Sequence, residues 1–545
     1  MPPAATPSHE ATTLIDELLA QERNLTAVDR FSQWHGRQTP SSDTRPASRL
    51  YRSLLPLHAP GPGEQYAFEV DLDRCSGCKA CVTACHALNG LEDGESWRSV
   101  GLLVGAPPPA SPAPALLQHV TAACHHCLEP ACLHGCPVLA YEKDPGTGIV
   151  RHLDDQCIGC TYCIMMCPYE VPRFSQRLGI VRKCDLCSER LVAGEAPACV
   201  QACPTEAIRV THVAVRDVRA RLLPALPASS NRSKINPFLP SAPDPILTLP
   251  TTRYSSERLE LASMRSVDLS HATPAHGHAP LVIMLVLSQA AVGVFSWRAW
   301  MPSATPTATV WLGLAMLVLA LGASVLHLGQ PRRAWRVFLG LRRSWLSREA
   351  ILLGALLPAA LAATVLSPES AAAPLAAGLA ALLGWASIGA STMVYAATGR
   401  PYWSAAWTAS RFVGCTLALG SGLVGALSPL PDPWLLLSTL AGLLGAGLSL
   451  APDLMLWTHR CSTATTALAR TAFLLSGRLR FRWRARLGLA AAGMVALIAS
   501  WLASPNHSVE LRWIAVVCLF ATTLLERHLF FTAASPDRMP GNVPA

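Results

Sequence analysis

The stretch CIGCTYCIMMCP, residues 157–168, carries four cysteines separated by two, two and three residues, and a proline follows the last one. Three thiols on one short loop can reach three corners of a compact cubane cluster, while the fourth corner needs a ligand from elsewhere in the chain. The chain repeats this arrangement, with small changes of spacing, three more times. The cysteines of the other runs are Cys75, Cys78, Cys81 and Cys85; Cys124, Cys127, Cys132 and Cys136; and Cys184, Cys187, Cys199 and Cys203, and the stretch itself holds Cys157, Cys160, Cys163 and Cys167.

These four runs predict iron–sulfur clusters. In proteins with two clusters, the last cysteine of each run ligates the other cluster and a proline commonly follows it. Zinc is the first rival, but it uses two separated pairs of cysteines and has no need of a third closely spaced thiolate. Disulfides are the second rival. They need an oxidising compartment, and residues 1–30 contain neither the apolar run of a secretory signal nor a twin-arginine pair.

The composition divides the chain into two halves of different chemistry. Of the 545 residues, 51% are hydrophobic and only 14% are charged, which lies outside the usual range of soluble proteins. Sixteen of the 19 cysteines fall between residues 75 and 203, whereas long apolar runs begin only near residue 280. The net charge of +9 does not indicate nucleic-acid binding, because the arginines flank apolar runs and no binding module accompanies them.

The second half contains eight apolar segments that are long enough, or nearly so, to span a lipid bilayer. They cover approximately residues 280–297, 308–328, 349–366, 374–397, 409–427, 434–457, 487–503 and 511–533. The predicted fold is therefore an α+β iron–sulfur domain of the double ferredoxin-like type, followed by an all-α polytopic membrane bundle of about eight helices.

The arginines between these segments predict the orientation of the bundle. Six follow the second segment and seven follow the sixth, whereas the odd-numbered connections carry almost no basic residues. Because basic residues are retained on the cytoplasmic side, we expect both termini and the cysteine domain to face the cytoplasm, in a multi-pass protein of the cytoplasmic (inner) membrane.

The same patterns predict five regions. Residues 1–65 form an N-terminal extension with a helix near 13–35, which either packs on its own domain or docks a partner subunit. The remaining regions are a four-cluster domain at 66–215, a proline-rich linker at 216–278, a transmembrane domain at 279–535 and a C-terminal tail at 536–545.

The cysteine motifs, including KCDLC at residues 183–187, resemble the iron–sulfur subunit of dimethyl sulfoxide reductase and its polysulfide- and nitrate-reductase relatives. The resemblance covers about residues 66–210 and implies two nested ferredoxin-like folds with crossed ligation of four [4Fe–4S] clusters. The implied ligand sets are Cys75, Cys78, Cys81 and Cys203; Cys85, Cys184, Cys187 and Cys199; Cys124, Cys127, Cys132 and Cys167; and Cys136, Cys157, Cys160 and Cys163.

The stretches HLGQPRRA at 327–334, SWLSRE at 344–349 and PYWS at 401–404 resemble the membrane anchor of the same family. That resemblance implies a menaquinol site containing His327, Arg333 and Glu349, and an anchor without haem. Quinol oxidation releases protons, and a histidine titrates in the right range to accept them. The plainer interpretation makes His327 an interfacial cap and Arg333 a topology charge. Of the histidines, only His528 falls within an apolar segment, and His327, His459 and His507 lie at helix ends or in a loop, so too few are placed to form the facing pairs that haem b needs.

Three functions remain open from the sequence. The family resemblance implies a non-catalytic electron-transfer and anchor subunit, which oxidises quinol for a separate molybdopterin-containing subunit that reduces an S- or N-oxide such as dimethyl sulfoxide. The same wiring can run in reverse for a dehydrogenase, for example of formate, that reduces quinone. A non-respiratory metal-binding membrane scaffold is the third function. The sequence does not separate the first two.

Overall fold

The computed structural model of the chain describes Ile15 and residues 51–105, 116–223, 236–257, 264–302, 305–367, 369–428, 432–459, 466–503 and 505–541. Apart from Ile15, the helix predicted near residues 13–35 lies outside the described residues. The description below follows the sequence from the cysteine domain to the membrane bundle.

The cysteine domain is built on short strands that form two three-stranded sheets and two hairpins. The strands are β1 (Glu64–Asp71), β2 (Ser99–Gly105), β3 (Leu116–Ala122), β4 (Tyr141–Lys143), β5 (Val150–His152), β6 (Arg173–Ser175), β7 (Ile180–Arg182), β8 (Ile208–Ala214), β9 (Arg253–Ser255) and β10 (Met264–Ser266). The sheet orders are β8–β1–β9 and β10–β2–β3, while β4–β5 and β6–β7 are hairpins. Strands β1 and β8 are antiparallel over their length, so that Val70 lies opposite Ile208 and both are buried in the core between the sheets and the cysteine loops.

Short helices follow the cysteine loops of this domain. They are α1 (Ala80–Leu88), α2 (Ala131–Gly135), α3 (Tyr162–Met166), α4 (Ser188–Val192) and α5 (Ala198–Gln201), and α6 (Val215–Leu222) follows strand β8. The loops before α1 and α3 are tight because two residues in each have a positive φ. In the loop before α3 these are Gly159, with φ of 68°, and Thr161, with φ of 57°. A glycine adopts this conformation without steric cost, which explains the CxGC pattern of both loops.

The proline-rich segment after α6 contributes two strands to the sheets of the cysteine domain. Strand β9 runs parallel to β1, and β10 pairs antiparallel with β2. The Tyr254 hydroxyl also donates a hydrogen bond to the Thr121 carbonyl over 3.1 Å. The sequence predicts little regular structure here because strands of three residues leave no periodic pattern, and their partners lie far away in the sequence.

The membrane half consists of long apolar helices. They are α7 (Ala279–Trp300), α8 (Thr307–Leu326), α9 (Trp345–Val365), α10 (Ala373–Ala396), α11 (Ala405–Leu427), α12 (Asp432–Trp457), the short α13 (Ala467–Ser476), α14 (Arg480–Leu502) and α15 (Pro505–Thr532). Within the described residues, eight of these helices, all except α13, are long and apolar enough to cross a membrane. The predicted fold class is therefore confirmed.

Four helices, α9, α11, α14 and α15, begin four or more residues earlier than the apolar pattern predicts. Helix α9 begins at Trp345 and α14 at Arg480, so that the charged residues before each apolar run are already helical. Charged side chains at a helix end reach the membrane surface while their backbone continues the helix, and hydropathy alone therefore underestimates the helix length.

Small residues allow the central helices to pack closely. Helices α7 and α11 are the most buried of the eight, and a Cβ atom on Gly293 would lie only 2.7 Å from the Cα atom of Gly420. In the same way, a Cβ atom on Gly414 would lie 2.6 Å from the Gly445 carbonyl oxygen of α12. Close backbone approach at glycine is a common basis of helix association in lipid.

The two halves of the protein touch after α8 and after α15. After α8, a Cβ atom on Gly329 would lie 2.0 Å from the Gly179 carbonyl oxygen of the cysteine domain. After α15, the chain returns to the cysteine domain and buries Met539 in its core. Gly101 of β2 lies under this tail, since a Cβ atom there would be 2.1 Å from the Pro540 carbonyl carbon.

Candidate metal centres and the membrane junction

The sixteen clustered cysteines divide into four groups of four according to which thiols affect each other's ionisation. All sixteen are free of disulfides. We name the groups from the electrostatic neighbours of each thiol. They are the distal group (Cys75, Cys78, Cys81, Cys203), the second group (Cys85, Cys184, Cys187, Cys199), the third group (Cys124, Cys127, Cys132, Cys167) and the proximal group (Cys136, Cys157, Cys160, Cys163). These are the sets that the sequence resemblance implies.

The thiols within a group disfavour each other's ionisation. Burial is the main cause of the raised pKa of Cys75, and its group members Cys81, Cys203 and Cys78 add to it. Burial and then Cys199 raise the pKa of Cys85 to about 12. Four buried thiolates this close together need a compensating positive charge, which the iron of a cluster provides. The cysteines therefore fit iron–sulfur clusters chemically.

Cavities lie at the centre of two groups. A small cavity is lined by all four cysteines of the third group, together with His126 and Lys183. A second small cavity is lined by all four cysteines of the second group. An inorganic core would fill the space between the sulfur atoms, so the shape of both sites also fits a cluster.

Backbone amides already point at several of the sulfur atoms. The N–H groups of Ala207, Ala140 and Gly159 donate to the sulfurs of Cys203, Cys136 and Cys157 over 3.2, 3.3 and 3.4 Å. Hydrogen bonds to cluster sulfur favour the reduced form and are one of the means by which a protein sets the reduction potential.

Two buried cations, Arg98 and Lys183, lie between the groups, and the sequence motifs include only Lys183. Burial acts to lower the pKa of Arg98, but the thiolates of Cys199 and Cys81 outweigh it, so that the net pKa is raised. Lys183 behaves in the same way towards Cys124 and Cys132. Arg98 thus joins the distal and second groups. Lys183 joins the second and third groups, since it directly precedes Cys184 in the sequence.

The proximal group lies against the membrane bundle. The hydroxyls of Ser344 and Ser347, at the start of α9, donate to the carbonyl oxygens of Gly135 and Pro137 over 2.6 and 3.2 Å. These two residues flank Cys136. On the other loop of the group, the backbone N–H of Gln330 donates to the Ile158 carbonyl oxygen over 3.0 Å. The connection from α8 to α9 therefore holds both loops of the proximal group.

Glu349 lies in the first turns of α9, just after the two serines that contact the proximal group. Its side chain is buried and accepts a hydrogen bond from the Ser391 hydroxyl of α10. On the side of the cysteine domain it faces Tyr162. Burial, followed by the negative charge of Glu349, raises the pKa of that tyrosine. Glu349 is thus a buried carboxyl group close to the proximal group.

The structure gives His327 and Arg333 different surroundings. His327 ends α8, and its half-buried ring has an inaccessible Nδ1 atom close to the backbone of Ser324. Arg333 donates from Nη1 to the carbonyl oxygens of Asp154 and Cys157 over 3.1 and 3.2 Å. One end of its guanidinium therefore holds the proximal loop, a contact that the sequence does not indicate.

Comparison with known families decides what these two halves are. Residues 116–213 match the family described as a 4Fe-4S dicluster domain, and residues 275–532 match the family described as the DMSO reductase anchor subunit, DmsC. Among curated proteins, the thiosulfate reductase electron transfer subunit PhsB of Salmonella typhi is 40% identical over 146 residues, which cover 27% of this chain and 74% of PhsB. The protein belongs to the dimethyl sulfoxide reductase family, as its iron–sulfur subunit fused to its membrane anchor.

Other relatives of this dimethyl sulfoxide reductase-type protein serve different reactions. The B subunit of the anaerobic dimethyl sulfoxide reductase of Haemophilus influenzae is 37% identical over 150 residues, which cover 27% of this chain and 73% of that subunit. The iron–sulfur subunit of formate dehydrogenase-O of Escherichia coli is 36% identical over 162 residues, covering 27% of this chain and 52% of the relative. These relatives share the iron–sulfur subunit of the family, and the complexes that they serve act on different substrates.

The anchor of this dimethyl sulfoxide reductase-type protein also contains a buried ion network. Its five members are Arg411, Asp453, Arg486, Glu526 and Arg527, and all are nearly inaccessible. Arg411 lies 3.5 Å from Asp453 and 3.3 Å from Glu526. Arg486 also contacts Asp453, and Arg527 also contacts Glu526. Arg486 is one of the seven arginines after the sixth apolar segment, so the charge pattern assigns it to the membrane surface, whereas the structure buries it.

Proposed function

We propose that this chain carries electrons between a membrane quinol and a separate molybdopterin-containing catalytic subunit, through four [4Fe–4S] clusters. The clusters would be held by the distal, second, third and proximal groups, and would supply one-electron transfer between the two ends of the cysteine domain. The proposed complex reduces an S- or N-oxide, or a related sulfur compound. The chain itself supplies the electron-transfer path, a quinol site and the membrane anchor.

The order of the cysteine groups carries this proposal. The proximal group lies against the membrane helices, whereas the distal group contains Cys78, the only exposed cysteine of the sixteen. One end of the series is therefore next to the lipid phase, and the other opens towards a soluble partner. A storage or scaffold function has no need of such an order.

The proposed quinol site lies between His327 and Glu349, on the side of the bundle that carries the cysteine domain. A quinol loses two protons with its two electrons, so the site needs proton acceptors near the headgroup. His327 is half-buried and Glu349 is buried. Glu349 also lies near Tyr162, which belongs to the cysteine loop of the proximal group. Arg333 would fix the proximal loop, and its remaining nitrogens would orient the headgroup.

We further propose that the protein lies in the cytoplasmic membrane with its cysteine domain facing the cytoplasm. Support comes from the arginine-rich connections, since those after α8 and α12 lie on the same side of the bundle as the cysteine domain. Cysteine accessibility to a membrane-impermeant reagent in spheroplasts tests this orientation, and labelling of Cys78 from the outside would refute it.

The central experiment is anaerobic purification of the full chain in lipid nanodiscs. Four clusters require about sixteen irons per chain, and a lower iron and sulfide content after full reconstitution would reject the count. The second measurement is reduction of the clusters by menadiol, followed optically and by paramagnetic resonance. Clusters that dithionite reduces but menadiol does not would reject the quinol site.

The formate dehydrogenase relative supports a second candidate, in which electrons flow from the catalytic subunit to quinone. Purification of the complex with its natural catalytic subunit separates the two. Menadiol-dependent turnover of dimethyl sulfoxide, trimethylamine N-oxide or thiosulfate supports the reductase, whereas formate-dependent reduction of menadione supports the dehydrogenase.

A further inference from the structure

A buried histidine, His126, lies in the cysteine loop of the third group, between Cys124 and Cys127. It is only 1% exposed, and it lines the same small cavity as the four cysteines of that group. Buried polar atoms nearly always have a hydrogen-bond partner, and one without a partner needs an explanation. The surroundings of the two ring nitrogens therefore indicate what the ring does.

Two hydrogen bonds hold His126 in this place. The Gln65 side chain, itself buried, donates from Nε2 to the His126 carbonyl oxygen over 2.8 Å. The backbone N–H of Val150, at the start of β5, donates to the Nδ1 atom of the ring over 3.1 Å. His126 also has a positive φ of 40°, which is uncommon for a residue other than glycine, and such residues cluster at functional sites. The fold of the cysteine domain therefore sets the orientation of this ring.

The contact with Val150 also determines which ring nitrogen of His126 carries the proton. Nδ1 accepts a hydrogen bond from an N–H group, so it has no proton of its own, and the neutral ring carries its proton on Nε2. The Nε2 atom is inaccessible and has no hydrogen-bond partner among the described residues. His126 thus has a buried N–H donor without an acceptor, in a cavity lined by four cysteines.

The neighbouring His125 does not allow the same assignment. Its Nε2 atom is also inaccessible and without a partner in the described part of the chain, and it lines the same cavity. Its Nδ1 atom, however, lies 2.9 Å from the Thr252 hydroxyl oxygen, and a hydroxyl group can donate or accept. The proton of His125 can therefore be on either nitrogen, and only His126 has a fixed donor.

We propose that the Nε2–H group of His126 donates a hydrogen bond to a sulfur atom of the cluster held by the third group, and thereby raises the reduction potential of that cluster. The inference rests on the iron–sulfur clusters of the proposed function, but not on its quinol site. Cluster sulfur carries more negative charge in the reduced state, so a hydrogen-bond donor stabilises that state more than the oxidised one. His126 thereby makes electron transfer from the proximal to the third cluster more favourable.

The first measurement uses the full chain with ¹⁵N-labelled histidine, in lipid nanodiscs and reduced with dithionite. Pulsed paramagnetic resonance should detect a histidine nitrogen coupled to one reduced cluster, and His126→Asn should abolish this coupling. Asparagine places its amide near the position of Nδ1 and has no atom at the position of Nε2. It also tolerates a positive φ, and its amide oxygen can accept the N–H of Val150.

The second measurement is the midpoint potential of each cluster, from a redox titration followed by paramagnetic resonance. In His126→Asn, the reduction equilibrium of one cluster should become about tenfold less favourable, which is about 59 mV for one electron, because hydrogen bonds to charged groups are among the stronger ones. The other three potentials should change less. His126→Gln should restore most of the lost potential, because the longer side chain places an amide N–H near the position of Nε2.

The matched control is His134→Asn. His134 lies between Cys132 and Cys136, but its side chain is half exposed and its Nε2 atom lies 3.7 Å from the carboxylate of Glu129, so all four potentials should stay unchanged.

Three results would overturn the inference: no histidine coupling in the unmodified protein, unchanged potentials in His126→Asn, or a coupling that His125→Asn abolishes and His126→Asn does not. A failure of the proposed clusters looks different, because the unmodified protein then shows no cluster signal after dithionite treatment, which rejects the proposed function together with this inference.

Discussion

The hydroxyl of Tyr162 donates a hydrogen bond to the Val394 carbonyl oxygen over 2.7 Å, and thereby links the proximal cysteine loop to membrane helix α10. Tyr162 lies between Cys160 and Cys163 in the sequence, and Val394 lies one turn beyond Ser391, the hydrogen-bond donor to Glu349. One side chain therefore connects the innermost metal site with the buried carboxyl group. This contact adds to those of Ser344, Ser347 and Gln330 in joining the two halves of the protein.

Replacement of Tyr162 by phenylalanine tests that coupling. Tyr162→Phe leaves the buried carbonyl without this partner, which costs about 1–3 kcal/mol, and we expect slower menadiol-dependent reduction of the clusters. Tyr254→Phe is the matched control, because its hydroxyl also donates to a carbonyl, that of Thr121, but inside the cysteine domain. We expect Tyr254→Phe to lose a similar amount of stability and to leave the rate of cluster reduction by menadiol unchanged. Equal rates in the two variants would argue against a role of Tyr162 in electron entry.

The C-terminal tail provides a second link that substitution can break. A Cβ atom in Gly101→Ala would lie 2.1 Å from the Pro540 carbonyl carbon, so the tail must move and Met539 must leave the core. Exposure of a methionine side chain costs about 1.5–3 kcal/mol. Limited proteolysis with intact-mass detection should then release the C-terminal residues faster. Gly94→Ala is the control, since no atom lies within 4 Å of the position that its Cβ atom would take, and equal cleavage of both variants would contradict the tail contact.

The ionisation of His278 predicts a dependence of stability on pH. Its pKa in the folded protein is about 4, mainly because of burial, whereas the unfolded polypeptide takes up the proton near the ordinary value of about 6.5. The unfolded state therefore binds more protons between these values, and stability falls as the pH falls from about 6.5 to about 4. The thermal midpoint in nanodiscs should drop less between pH 7.5 and pH 5 in His278→Gln than in the unmodified protein. An identical drop in both proteins would contradict the low pKa.

Much of this architecture follows from the sequence, because its signals are local or simply repeated. The spacing from Cys157 to Cys167 and the apolar runs after residue 280 predict the fold class and the segments that cross the membrane. The four cysteine groups are implied by family resemblance, and their role as cluster ligands stays a prediction. The proposed role of His327, Arg333 and Glu349 in quinol binding stays a prediction.

The features that the sequence does not reveal depend on contacts between distant segments. Strands β9 and β10, the tail around Met539 and the pairing of Arg486 with Asp453 each join segments that have no common local pattern. Arg486 shows the difficulty most clearly, since a charge beside an apolar run is equally typical of a surface residue. Only the position of α14 beside α12 shows that this arginine is buried.

The buried ion network of the anchor gives the largest predicted effect on stability. Asp453 interacts with both Arg411 and Arg486, and its side chain is almost inaccessible. Asp453→Asn removes the negative charge and leaves two buried arginines without that partner, which costs about 3–5 kcal/mol. We expect a lower midpoint of thermal unfolding in nanodiscs. The matched control is Glu142→Gln, which breaks the exposed pair with Arg151 and costs less than about 1 kcal/mol. Similar midpoints for the two variants would show that the network does not stabilise the bundle.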